Sequence, residues 1–196
     1  PRSLMLTVYG DLNISTIRSK PKNRKPILTR VVGANQRTTA YEHVRSELTA
    51  GHQAMVVCPL IEESDVLGVA SATEEYEKLR KIFPKFRVAM LHGKMKPAEK
   101  QTVMEDFKNA RFHILVSTSV IEVGIDVPNA VVMMIESAER FGLAQLHQLR
   151  GRVGRGQHQS YCFLFSDSRA ENSLKRLKSM EKIHVGFELA EIDLKM

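Results

Sequence analysis

The chain has 196 residues, of which 43% are apolar, and its formal net charge is +7. This length suits one compact domain with a small appendage. The longest unbroken apolar run, Ala130–Ile135, is far too short to cross a bilayer, and the histidines and two cysteines show no spacing typical of a metal site.

The positive charge is concentrated near the start of the chain. Residues 12–41 contain no acidic side chain and seven basic ones, while the remainder holds 22 basic and 22 acidic residues. A localised basic stretch indicates a polyanionic partner such as nucleic acid. A solvated linker is the alternative interpretation.

The local pattern predicts a connector followed by alternating strands and helices. Residues 1–26 have no regular period and contain several prolines and serines, which is typical of an extended connector. Short apolar runs predict strands at Ile27–Val32, Ala54–Cys58, Arg87–Leu91, Ile114–Val116, Ala130–Ile135 and Tyr161–Phe165. Helices are predicted at Thr39–Leu48, Ala72–Phe83, Pro97–Phe107, Leu143–Arg152, Glu171–Lys182 and Phe187–Leu194.

This alternation predicts an α/β fold, with a parallel sheet covered by helices on both faces. Cys58 and Cys162 fall in apolar strands, so we expect buried thiols rather than a disulfide. Ligands of such folds bind at the carboxyl ends of the strands. The functional loops are therefore expected after Cys58, Leu91, Ser117, Ile135 and Phe165.

Two of these loops carry residues suited to phosphate or ribose. Ser117 and Thr118 leave the fourth strand with hydroxyls that can bind phosphate, and Asp126 can accept hydrogen bonds from a ribose beyond a bend at Gly124. Helix capping and a turn before Pro128 are the alternatives. After the third strand, His92, Gly93 and Lys94 offer donors and close backbone approach to a phosphate, or form an ordinary helix entry.

The segment from Gln145 to Gly156 is the most informative. Leu143, Leu146 and Val153 share one helical face, whereas Gln145, Gln148 and Arg152 lie on the other. We expect Arg150, Arg152 and Arg155 on one exposed edge, where guanidinium groups would suit an oxyanion. The alternative is that they only complement the helix dipole.

Half of an ATPase site is missing from the sequence. There is no Gly-x-x-x-x-Gly-Lys-[Ser/Thr] phosphate loop, and no predicted strand ends in an Asp-Glu pair that would hold Mg²⁺. We therefore expect this chain by itself not to hydrolyse ATP. The first residue is Pro, and a regular pattern continues to the last residue, so we also expect a piece of a longer protein.

Several segments resemble motifs of superfamily 2 helicases. Val116–Pro128 is similar to the fifth motif, Leu91–Met95 to the motif before it, and Gln148–Arg155 to the sixth. Phe141–Arg155 narrows the resemblance to the RecG and Mfd families of double-strand DNA translocases. Two further segments favour RecG, namely Pro1–Leu12 and Gly186–Lys195, although Ile17–Lys22 departs from the acidic-Leu-Pro-Pro connector of that family.

The resemblance implies the second RecA-like motor domain, at residues 27–168, of a bacterial ATP-dependent DNA helicase that remodels stalled replication forks and branch-migrates recombination intermediates. Residues 1–26 would connect it to the first motor domain, and residues 169–196 would begin a helical hairpin that couples ATP use to translocation. Such a protein would be cytoplasmic and associated with the nucleoid.

The resemblance also implies the ligands. ATP with Mg²⁺ would bind between this domain and the first motor domain, which would supply the Mg²⁺ ligands. The partners would be branched or forked double-stranded DNA and the N-terminal motor and wedge domains of the same protein. Gly124 and Asp126 would face the nucleotide, Gln148, Arg152 and Arg155 the γ-phosphate, and His92, Gly93, Lys94, Ser117 and Thr118 the DNA.

Two alternatives stay open at this point. One is an Mfd-type translocase that links transcription to repair, and the other is a DNA-binding module without catalysis. The missing phosphate loop favours the second alternative, whereas the intact arginine pair argues against it, because a scaffold does not need γ-phosphate ligands.

Overall fold

The computed structural model describes residues 25–59, 65–118 and 126–183, together with Gly186, Leu189 and Asp193. Most of the predicted connector at residues 1–26 lies outside this part of the chain. The six strands are β1 (Leu28–Val32), β2 (Gln53–Cys58), β3 (Val88–Leu91), β4 (Ile114–Thr118), β5 (Ala130–Ile135) and β6 (Tyr161–Phe165). The five longer helices are α1 (Arg37–Thr49), α2 (Asp65–Ile82), α3 (Pro97–Lys108), α4 (Leu143–Arg150) and α5 (Glu171–Lys182).

All six strands form one parallel sheet in the order β1-β6-β5-β2-β4-β3. Every residue of β2, β4 and β5 is buried, because helices cover both faces of the sheet. A strand buried on both sides needs a continuous apolar run rather than an alternating one, which is the pattern that the sequence shows. The predicted α/β fold with a covered parallel sheet is confirmed.

The two faces of the sheet have separate apolar cores. Met55 and Val57 of β2 pack on one face with side chains from α3, α4 and α5. Their neighbours Val56 and Cys58 pack on the other face with α1 and α2. Successive side chains of a strand point to opposite faces, so a single run of apolar residues supplies both cores.

Three predicted helix boundaries were wrong by two residues or more. Helix α2 begins at Asp65 rather than Ala72, and α1 begins at Arg37 after a 3-10 turn over Ala34–Gln36, with no side-chain cap from Thr38 or Thr39. Helix α4 ends at Arg150, two residues early. Local capping chemistry does hold at Pro97, which occupies the first turn of α3 while the Lys96 N–H donates to Glu99 Oε2 at 2.9 Å.

Both cysteines are free, buried thiols, as predicted. Burial raises the pKa of the Cys58 thiol far above its usual value and that of Cys162 to about 12, so both thiols are poor nucleophiles. Across the described residues, every helix is too short or too polar to cross a membrane.

Candidate functional site

Helix α4 is fixed to the sheet by one apolar face. Leu143, Leu146, Leu149 and, just beyond the helix, Val153 are all buried in the core beneath it. Gln148 is exposed on the outer side. The predicted division of this segment into an apolar and a polar face is confirmed, and it fixes the position from which the following loop departs.

That loop packs directly on the segment that leads into β5. Gly154 has a φ of +75°, and a Cβ there would lie 2.9 Å from Ile27 Cγ1. A Cβ on Gly156 would lie 2.8 Å from the main-chain oxygen of Pro128. Because real Cβ atoms do not approach backbone oxygens so closely, glycine is what allows the two segments to touch.

This contact brings together two residues that the sequence placed at the nucleotide. Arg155 Nη1 lies 3.3 Å from Asp126 Oδ1. Asp126 is 65% exposed and Arg155 27%, so the pair remains open to solvent on one side. Gly124 lies outside the described residues. Arg152 is half-buried two residues after α4, and Gln148 is exposed within it.

The position of this pair corrects one expectation. Asp126 comes shortly before β5, and Arg155 comes between α4 and β6. The pair therefore lies at the amino ends of the strands, because Asp126 comes at the end of the β4–β5 loop and not at its start. Thr118 lies at the carboxyl end of β4 and Asp126 near the amino end of β5, so the two described ends of this connection lie at opposite ends of the strands.

We expect Gly156→Ala to lower the free energy of unfolding by about 1–3 kcal/mol, as is usual when a well-packed contact is overfilled. Pro128 and Gly156 lie close in sequence to Asp126 and Arg155, so a shift of either backbone would also disturb that pair. Gly33→Ala is the matched control, because a Cβ there meets only Asn35 Oδ1, at 3.5 Å. Equal stability of the two variants in urea unfolding would contradict the packing described here.

The residues proposed to face DNA lie at the opposite, carboxyl ends of the strands, after β3 and at the end of β4. Gly93 and Lys94 are exposed, and Lys100 Nζ donates to the Gly93 oxygen at 2.6 Å. This bond ties the loop to α3. His92 is half-buried, and its Nδ1 is a buried atom without a hydrogen-bond partner in the described part of the chain.

Ser117 and Thr118 lie inside β4 rather than in the loop beyond it. Both are fully buried, and the Ser117 hydroxyl donates to the Val56 oxygen at 3.2 Å. A contact between Ser117 and DNA would therefore have to come from its main chain. The Thr118 hydroxyl is buried without a partner among the described residues, at the point where the strand ends.

The prediction that Arg150 lies on an exposed edge with Arg152 and Arg155 was wrong. It is 3% exposed, and its Nη1 donates to the main-chain oxygens of Met180 at 2.8 Å and Ile183 at 3.1 Å. Its Nη2 lies 2.9 Å from His147 Nδ1. Burial lowers the pKa of Arg150. The main-chain oxygens that accept its hydrogen bonds belong to the C-terminal end of α5, where a basic side chain can bind the last carbonyl groups of a helix. Arg150 joins α4 to α5.

The other end of α4 is also fixed by the final segment. The Leu143 N–H donates to Asp193 Oδ2 at 3.0 Å, which satisfies a free donor in the first turn of the helix. Asp193 also pairs with Arg176 of α5, whose guanidinium in turn donates to the Glu139 oxygen. A Cβ on Gly186 would lie 2.9 Å from the His147 ring. The predicted helix Phe187–Leu194 otherwise lies outside the described residues.

A second polar cluster was not predicted from the sequence. Arg37 Nη1 donates to both carboxylate oxygens of Glu136 at 3.0 Å, and Arg37 Nη2 lies 3.3 Å from Asp167. Lys78 pairs with Glu75 at 2.9 Å and lies 4.0 Å from Glu136. The sequence signal that could have indicated this cluster is a charged residue shortly after each of two buried apolar strands, namely Glu136 after β5 and Asp167 after β6.

The charges of this cluster are set by burial. Burial raises the pKa of Glu136, and the neighbouring Glu75 carboxylate raises it further, while Lys78 and Arg37 oppose the shift. The Arg37 guanidinium also lies 4.8 Å from the centre of the Phe165 ring. Together these contacts hold the segments after β1, β5 and β6 to one another at the carboxyl ends of the strands.

Comparison with known proteins identifies the class of domain. The chain belongs to the helicase conserved C-terminal domain family, whose pattern matches residues 37–157. That range runs from the start of α1 to the loop after α4, so it includes the candidate residues at both the amino and the carboxyl ends of the strands.

The chain is similar to RecG helicases. The chain is 51% identical over its whole length to the ATP-dependent DNA helicase RecG of Synechocystis sp., 52% to that of Thermotoga maritima and 47% to that of Bacillus subtilis. It spans 24%, 25% and 29% of these relatives, respectively. The predicted resemblance to RecG is confirmed.

Solved structures agree with the fold. A structure of RecG bound to a three-way DNA junction matches the whole chain at 47% identity and a TM-score of 0.83, and the chain covers 26% of it. The Saccharomyces cerevisiae Dbp5 variant L327V, bound to RNA and ADP BeF3, matches 99% of the chain and is covered to 51%, with a TM-score of 0.64 and 16% identity. The second likeness shows the RecA-like fold alone, and that predicted fold is confirmed.

Proposed function

We propose that this chain is the second motor domain of an ATP-dependent double-strand DNA translocase that remodels stalled replication forks and branch-migrates recombination intermediates. The observation that carries the proposal is the Asp126–Arg155 pair, in a chain about half identical to RecG helicases along its whole length. A paired, partly exposed guanidinium and carboxylate at a glycine-built contact suit a nucleotide that arrives from a partner domain.

The proposed nucleotide site lies at the amino ends of the strands. Gly124 and Asp126 would face the nucleotide, with the Asp126 carboxylate at the ribose, and Gln148, Arg152 and Arg155 would face the γ-phosphate. Guanidinium groups bind phosphate through paired N–H donors and keep their charge. ATP would lie against the first motor domain, which would supply the phosphate loop and the Mg²⁺ ligands.

The proposed DNA site lies at the carboxyl ends of the strands. His92, Gly93, Lys94 and the end of β4, with Ser117 through its main chain and Thr118, would contact backbone phosphates. Contacts of this kind position a protein on DNA without reading its sequence. DNA and nucleotide would thus approach the domain from opposite ends of the β4–β5 connection, whose residues 119–125 join the two.

The remaining parts are proposed on the same basis. Residues 1–26 would connect to the first motor domain, residues 27–168 would form this motor domain, and residues 169–196 would begin the coupling hairpin. The partners would be forked DNA and the N-terminal motor and wedge domains of the same protein. The bacterial origin of the RecG relatives supports a cytoplasmic site of action on nucleoid DNA.

The full-length protein that contains this chain tests the proposal. ATP turnover should rise more with a synthetic replication fork than with linear duplex DNA of the same length, and the fork should be converted to a four-way junction. Turnover without preference for branched DNA, together with displacement of stalled RNA polymerase, would favour an Mfd-type translocase. Absence of any DNA-stimulated turnover would favour a binding module.

We expect Lys94→Ala in the full-length protein to weaken DNA binding and to lower the slope of log affinity against log salt by about one, since one phosphate contact is lost. Lys178→Ala, on the exposed side of α5, is the matched control and should keep the wild-type slope. Affinity should be measured by fluorescence anisotropy across a salt series. Identical slopes for both variants and the wild type would remove Lys94 from the interface.

A further inference from the structure

A groove lies at the start of the edge strand β3, between the second half of α2 and the loop before β4. Its volume is about 540 Å³. Its wall contains three aromatic and three cationic side chains, namely Tyr76, Phe86, Phe112, Arg80, Lys81 and Arg87. The groove thus combines aromatic surface with positively charged side chains.

The groove also contains free main-chain groups of the sheet edge. The Arg87 oxygen accepts from the N–H groups of His113 and Ile114 at 2.9 and 3.2 Å, so it faces β4. Amide groups of successive strand residues point to opposite sides. The N–H and C=O of Val88, which lines the groove, therefore point away from β4 toward the outer edge.

The other sheet edge is treated differently. At β1 the outward N–H of Val31 donates to Glu181 Oε1 at 2.8 Å, so a side chain of α5 occupies the edge. Within the described residues, no side chain blocks Val88 in this way. Proteins usually block exposed edges because they accept additional strands. An edge left open beside an apolar groove is therefore suited to a peptide.

The charge of the groove indicates the chemistry of that peptide. Among the described residues that line it, the one carboxylate is Glu77, which lies 3.4 Å from Arg80 in an exposed pair of little energetic weight. The net potential is positive, so an acidic segment is favoured. Two of the rings already have neighbours that disfavour stacked bases: the Arg80 guanidinium lies 5.5 Å from the centre of the Tyr76 ring, and Phe86 makes T-shaped contacts with the Phe83 and His113 rings.

We propose that this groove binds an extended, acidic segment of a partner protein, which adds to β3 as a further strand and places an apolar side chain among the three rings. Main-chain hydrogen bonds to Val88 would give affinity, and the rings and cations would give selectivity. This site is independent of the proposed motor function. The Asp126–Arg155 pair lies beside β5 and β6, at least three strand spacings or about 14 Å away.

The test uses the full-length protein and a fluorescent synthetic peptide with a central phenylalanine flanked by aspartates. We expect saturable binding that weakens with salt. Arg80→Glu combined with Arg87→Glu should weaken it about tenfold or more, whereas Lys178→Glu, on the exposed side of α5, should not. Methylation of alternate peptide nitrogens should abolish binding in one register, because a strand needs these donors. DNA-stimulated ATP turnover should be unchanged in the double variant, which shows that it is folded.

Several results would overturn the proposal. These are absence of peptide binding, equal binding to the double variant, or equal binding of a peptide with asparagine in place of aspartate. A single-stranded oligonucleotide that displaces the peptide, and that itself loses affinity in the double variant, would instead assign the groove to nucleic acid.

Discussion

Replacing Arg152 or Arg155 by alanine in the full-length protein should lower DNA-stimulated ATP turnover by roughly 10³–10⁵-fold, the range found when an arginine finger is removed from other NTPases. Negative charge develops on the γ-phosphate oxygens in the transition state. A guanidinium already held in place stabilises that charge without reorganisation. Helix α4, fixed by its buried face, supplies the rigid base for both side chains.

The lysine variants separate charge from geometry. Lysine keeps the positive charge but lacks the planar pair of donors, so Arg152→Lys and Arg155→Lys should also be impaired. Arg155 has an additional requirement, since Asp126 holds it at 3.3 Å before any nucleotide binds. Asp126→Asn should therefore reduce turnover less than loss of Arg155 itself, because it removes an orienting contact and leaves the guanidinium present.

The control must show that the variants are folded. Gln157→Ala changes an exposed residue of the same loop and should leave both turnover and melting temperature close to wild type. If Arg152→Ala and Arg155→Ala lower the melting temperature but keep near-normal ATP turnover, these arginines only stabilise the loop. The assignment of this chain to half of an ATP site would then fail.

Replacing Arg150 by methionine should destabilise the domain by about 2–5 kcal/mol, because each of two main-chain oxygens left without a donor costs about 1–3 kcal/mol. Methionine keeps much of the volume but donates no hydrogen bond. The oxygens of Met180 and Ile183 would then be buried without their donor. For a domain of this size, the melting temperature should fall by roughly 10 °C.

Thermal unfolding and ATP turnover, measured together, distinguish this residue from the two arginines that follow it. Arg150→Met should lower the melting temperature strongly, whereas Arg152→Ala and Arg155→Ala should mainly lower turnover. Arg169→Ala, at an exposed position beyond β6, is the control for loss of an arginine. A melting temperature for Arg150→Met equal to that of this control would show that the α4–α5 connection is not important for stability.

Among the described residues, no carboxylate accepts a hydrogen bond from Arg150. Its donors meet two main-chain oxygens at the end of α5, the Thr29 hydroxyl at 3.5 Å and the His147 ring. The C-terminal end of a helix carries partial negative charge, which offsets part of the cost of burying the guanidinium. The arrangement makes the position of α4, which the segment with Arg152 and Arg155 follows, dependent on the position of α5.

The sequence by itself determined the class of fold. Six apolar runs of strand length, separated by helical stretches, leave little choice but a covered parallel sheet, and six strands are observed where they were predicted, within about two residues. Gln148–Arg155 and the other short motifs were sufficient for the resemblance to RecG, because their residue types and spacing are local properties of the chain. The buried face of α4 was also readable from its spacing.

Only the tertiary structure decided which charged residues act together. Arg150 and Arg152 are two residues apart in the sequence, yet one is buried against α5 and the other follows the helix end. Arg37, Glu136 and Asp167 come from three distant segments, and no local pattern links them. The Asp126–Arg155 pair forms because Gly156 fits against the Pro128 oxygen, a contact between segments about thirty residues apart. Charge pairing depends on distance through space, which periodicity along the chain does not encode.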